Sequence, residues 1–160
     1  MTLRLWARHA LQHRGPSPTS SRVPLKPKRR HPSSERTEMD NVTKLVEDHL
    51  ALWAVTDSDD RAARIARCYT PEVRVVEPDG VVVGREALNT RIDQLQKHFG
   101  GLSFVVTGSI EHHHGYASYQ WVQPATAKSG EVLGWDVLHF DGDLIDCAVM
   151  FIPGFDELDV

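Results

Sequence analysis

The chain has 160 residues, with 18 Lys/Arg, 22 Asp/Glu and a formal net charge of −4, which is enough for one domain with a real core. Residues 1–38 hold nine basic and two acidic side chains, a net of +7, and the other 122 hold nine basic and twenty acidic, a net of −11. The acidic body argues against a nucleic-acid surface on the folded part, no apolar run approaches a membrane span, and no signal-peptide core is visible.

Residues 1–38 contain Pro16, Pro18, Pro24, Pro27 and Pro32 together with many serines. A segment so poor in large apolar residues cannot offset its ordering entropy and is expected to be a disordered basic tail. Residues 1–14 resemble a transit peptide weakly, and Lys26-Pro27-Lys28-Arg29-Arg30 resembles a nuclear-localisation or nucleic-acid patch. The simpler reading is a solvated tail, with Met39 as an alternative start and the domain at 39–160.

From Asp40 the pattern changes. Asp40 or Asn41 caps a first helix, in which Val42, Leu45, Val46, His49, Leu50 and Trp53 share one face. Thr56 to Asp60 breaks it and caps a short second helix ending at Tyr69, before Pro71. Val73–Glu77 reads as a strand, Pro78-Asp79-Gly80 as a turn and Val81–Val83 as a return strand. Gly84–His98 reads as a third helix, stopped by Gly100-Gly101. Strands are expected at 102–112, 115–123, 131–141 and 144–152, and their short connections make an antiparallel meander. Helices followed by a meander give an α+β layout.

Two acids stand in costly places. Glu77 ends an apolar strand, and Asp136 lies inside GWDVLHF. Carboxylates there need partners or a pocket. A turn-capping role for Glu77, or an Asp136–Arg91 pair, are the structural alternatives. In His112-His113-His114 only the first and third share a strand face, which suits a solvated hairpin tip better than a metal site. His49 is either a satisfied core histidine or a proton carrier in a pocket. Period two puts Asp136, Leu138 and Phe140 on one face and Trp135, Val137 and His139 on the other. If Asp136 faces inward, Trp135 and Val137 form an outer surface that wants a cover, so a homodimer is expected. Ala148, Met150 and Ile152 alternate in the same way and line either a pocket or plain core. Cys68 and Cys147 have no close-spaced partner and read as buried thiols of a cytoplasmic protein.

The order of these elements, with YTPEVRVVEPDGVVVGREAL at its centre, resembles the NTF2-like superfamily over about residues 42–153, and within it the SnoaL-like and ketosteroid-isomerase-like proteins. The resemblance implies a cone: a curved, mostly antiparallel sheet closed by three N-terminal helices around a pocket, often dimeric through the outer sheet face. Glu77 before Pro78 resembles the catalytic base of the isomerases. Asp136 in Asp-Val-Leu-His-Phe resembles the acid of their oxyanion hole. Trp53 falls where those enzymes carry a tyrosine, a departure from the steroid-isomerase pattern.

The implied function is binding of a small apolar molecule in the cone. Cofactor-free proton transfer of isomerase or cyclase type is open, with Glu77 as base and a neutral Asp136 as hydrogen-bond donor. Trp53, His49, Leu138, Phe140 and Met150 are the expected ligand contacts. No metal, cofactor, nucleic acid or membrane is expected. The alternative is a non-catalytic dimerisation or ligand-sensing module. An epoxide-hydrolase site would need an Asp-Arg-Asp set, of which only Arg91 and Asp136 are evident.

Overall fold

The computed structural model describes residues 32–155. The element order is α1 (Pro32–Leu52), α2 (Ser58–Cys68), β1 (Tyr69–Glu77), β2 (Gly80–Val83), α3 (Arg85–Phe99), β3 (Val105–His113), β4 (Tyr116–Gln123), β5 (Val132–Asp141) and β6 (Leu144–Phe151).

Helix α1 starts at Pro32, ahead of the expected cap at Asp40. Proline suits a first helical position, because its fixed φ is helical and its missing N–H would have no partner there. Arg36, Thr37, Met39, Asp40 and Asn41 on this extension are exposed. The helix thus reaches into the segment read as a tail, and residues 1–31 lie outside the described residues. Asp57 caps α2, its side chain accepting from the backbone N–H groups of Asp59 and Asp60 at 3.1 and 2.8 Å. Tyr69 caps α2, its backbone N–H donating to Ile65 O, and is already extended as the first residue of β1. Pro71 disfavours a helical Thr70, and the β-branched residues Val73, Val75 and Val76 extend the chain.

The four-strand meander and the small hairpin join into one sheet of order β2-β1-β6-β5-β4-β3. All pairs are antiparallel except β1 with β6, where Val75 faces Ala148 and Val76 faces Val149. A register shift between Thr107 and Glu111, at Gly108 with φ 83°, bends β3. The open sheet curves around a core that includes Val46, Leu52, Trp53, Ile65, Leu88, Ile92, Leu138 and Ile145. This is the α+β cone that the sequence implied.

Arg61 ties the helices together from inside. Its side chain is buried and donates to Val55 O at 2.7 Å, to Asn89 Oδ1 at 2.6 Å and to Gln96 Oε1 at 3.4 Å. The α1–α2 turn is thereby fixed to α3, the helix that carries Arg91.

Candidate functional site

The concave face of the sheet holds two adjoining features: a buried polar cluster and an apolar cavity. Both are built by strand alternation. On β4, Ala117, Tyr119, Trp121 and Gln123 point inward, and on β5, Gly134, Asp136 and Leu138 do. Tyr119 pairs across strands with Asp136, and Trp121 with Gly134.

The cluster centres on Asp136, whose residue is 1% exposed. Tyr119 Oη donates to Asp136 Oδ2 at 2.9 Å, and Trp121 Nε1 donates to Oδ1 at 2.8 Å. His49 Nε2 lies 3.4 Å from Oδ2. The other imidazole nitrogen, Nδ1, is 2.5 Å from the Tyr69 hydroxyl. One direction satisfies this chain: Tyr69 O–H to His49 Nδ1, and His49 Nε2–H to Asp136. Burial holds the Tyr69 and Tyr119 phenols well above their ordinary value of 10.0, so both stay protonated donors. Gly134 makes room for this arrangement. A Cβ there would fall 2.3 Å from the Trp121 ring, which lies across the glycine to reach Asp136.

The cavity beside the cluster has a volume of about 60 Å³. Its walls include Trp53, Leu95, Phe99, Phe104, Trp121 and Met150, with Glu77, Asp79 and Arg91 as its charged lining. Arg91 Nε donates to Glu77 Oε2 at 2.6 Å, and Nη2 donates to Asp79 Oδ2 at 2.7 Å. Glu77 is the buried end of this triad, while Arg91 and Asp79 reach solvent, so the triad runs from cavity to surface. Burial pushes the Glu77 carboxyl above its ordinary value of 4.5, against the opposing pull of Arg91.

Of the residues singled out in the sequence, Glu77, Arg91, Trp53, Met150 and Ile152 line the cavity. Asp136, His49 and Leu138 are buried without lining it. Phe140 sits in a separate groove with Val42, Lys44 and Gly142. Arg91 pairs with Glu77 and Asp79, not with Asp136. Tyr69, Tyr119, Trp121 and Gln123 were not assigned to a site. Period two on β4 would have placed the last three beside Asp136, whereas Tyr69 was read as the end of a helix.

His113 and His114 are exposed at the β3–β4 turn, where His114 has φ 50°. Among the described residues no group of three or more His, Cys, Asp or Glu side chains converges to hold a metal. His139 pairs with Asp146 at 2.6 Å. Both cysteines are free, and burial pushes Cys68 up to about 12. Among the described residues no helix is long and apolar enough to cross a membrane.

The model of the SnoaL-like domain matches residues 46–147. A search of curated proteins finds no match to the chain. Among solved structures, a proposed isomerase of the SnoaL-like family from Agrobacterium tumefaciens superposes with a TM-score of 0.67 at 22% identity, covering 72% of this chain and 100% of that one. A proposed SnoaL-like polyketide cyclase from Jannaschia sp. CCS1 gives 0.55 at 16%, covering 72% of this chain and 89% of that one. A protein with a ketosteroid isomerase-like fold from Catenulispora acidiphila, in complex with trimethylamine, gives 0.57 at 14%, covering 67% and 83%. These identities establish the fold and leave the reaction to the site. With the matched segment running from within α1 through Asp136 into β6, the chain belongs to the SnoaL-like domain family.

Proposed function

We propose that the protein binds a small, largely apolar molecule in the cavity beneath the Glu77–Arg91 pair, and that Glu77 is the base of a cofactor-free proton transfer of isomerase or cyclase type. The observation that carries this reading is a carboxylate buried on the wall of an otherwise apolar cavity and held there by a shared arginine. In the step envisaged, Glu77 takes a proton from carbon next to a carbonyl, and the electron pair moves onto the carbonyl oxygen. Arg91 keeps Asp79 as a partner when Glu77 becomes neutral, which lowers the cost of that protonation. Asp136 acts one layer back, as a positioning residue that holds Trp121 against the cavity.

Hydrogen–deuterium exchange at the α-carbon of acetone, followed by NMR, tests the base. Glu77→Gln is expected to lower the protein-catalysed rate at least ~100-fold; an undiminished rate would remove Glu77 from the role.

A non-catalytic ligand-sensing or dimerisation module is favoured by a different observation. The cavity, at about 60 Å³, is less than half of the roughly 150 Å³ that accommodates benzene in an engineered core. Ligand binding without exchange above the buffer rate would support that reading. In either case we expect a homodimer through the outer sheet face, because Leu133, Trp135 and Phe151 are 58, 38 and 41% exposed there. The two free thiols fit a reducing compartment such as the cytoplasm.

A further inference from the structure

We infer that Gln123 selects the ligand of the cavity, and that it selects a compact, neutral molecule bearing an amide or carbonyl group; this rests on the cavity being a binding site, as proposed above. The inward residues of β4 use their polar atoms in different ways. Tyr119 and Trp121 donate theirs to Asp136. Gln123, next in the same row, is 5% exposed and lines the cavity, and its carboxamide hydrogen-bonds to no described residue. The other buried polar side chains, His49, Arg61, Glu77 and Asp136, all have partners. Among the described residues no sealed side-chain nitrogen or oxygen lacks a partner, so the Gln123 amide opens onto the cavity. A leucine would fill the position without any polar demand, whereas a buried amide left unpaired is costly.

The chemistry of the group narrows the ligand. A carboxamide offers two N–H donors and one carbonyl acceptor, and no charge. It pairs best with a group that both accepts and donates, such as a lactam or primary amide, and next best with a simple carbonyl. The charged neighbours point the same way. Glu77 and Asp79 already share Arg91, which leaves no spare cation for a carboxylate or phosphate and an excess negative charge that repels anions. The cavity volume limits the apolar body to a few carbon atoms.

Three small molecules of similar size test the inference: acetamide, acetone and isobutene, each titrated into the full-length protein and followed by amide chemical shifts. The wild type is expected to bind acetamide about tenfold tighter than isobutene, the weight of one net hydrogen bond, with acetone between them. Gln123→Leu and the equally long Gln123→Met are expected to reverse the order. Equal wild-type affinities, or variants that keep the wild-type order, overturn it while leaving the cavity as a binding site. If none of the three shifts any resonance, the cavity reading falls together with it.

Discussion

Residue by residue, the two acids that stood out in the sequence have separated into different jobs. Asp136 is surrounded by donors and sealed from the cavity, so its polar demand is met by Tyr119, Trp121 and His49. Glu77 is held by a cation and still shifted upward by burial. That shift has a consequence for stability. The folded state holds the Glu77 proton more tightly than the unfolded chain does, so its favourable contribution is full below pH 4.5 and fades as pH rises through the raised folded value. Glu77→Gln cannot ionise, so its melting temperature should gain on the wild type as pH increases from 4 to 7. A gap that closes over this range would mean that the Arg91 pair outweighs burial. The costly placement of both acids was legible from the apolar residues around them. Their partners were not, because Arg91 on α3 and Tyr69 at the start of β1 reach them only through tertiary packing.

At the scale of the element, β4 and β5 were the most legible parts of the chain. Their alternation put Asp136 and Leu138 inside and Trp135 outside, as the structure has them. The α2–β1 junction was less legible. Ala62, Ala63, Ile65 and Ala66 continue a helical pattern up to Tyr69, and the strand wins at that residue because Pro71 and the valines after it favour extended backbone. Arg85 stabilises the junction by donating to Tyr69 O from Nε at 2.9 Å and from Nη2 as well. The pairing of Trp121 with Gly134 is a contact between strands that no pattern within one strand reveals. It predicts that Gly134→Ala is poorly tolerated. The new methyl would collide with a rigid indole, displacing Trp121 from Asp136 and from the cavity wall. A loss of about 1–3 kcal/mol in denaturant unfolding is expected, with a change in the near-ultraviolet dichroism of tryptophan. Wild-type values in both would show that the ring is free to move.

For the whole molecule, the outer sheet face carries exposed apolar side chains without a cover among the described residues. Trp135 and Phe151 stack with ring centroids 5.1 Å apart, and Val105, Val122 and Leu133 form a neighbouring cross-strand row. A second copy placed on this face would cover both rows. Sedimentation at micromolar concentration is expected to give a dimer for the wild type and a monomer for Trp135→Lys, and a monomeric wild type would count against the proposed assembly. The order of strands carries one more consequence, for the birth of the protein. β1 is the first of the described strands to be made, yet the strand beside it, β6, is the last of them. On the ribosome, β1 can pair with β2, but its other edge has no partner until residues 144–151 have emerged. The cone therefore closes only once β6 has emerged. Until then the nascent chain carries an open apolar edge, the kind of surface that chaperones shield and that aggregates when left bare.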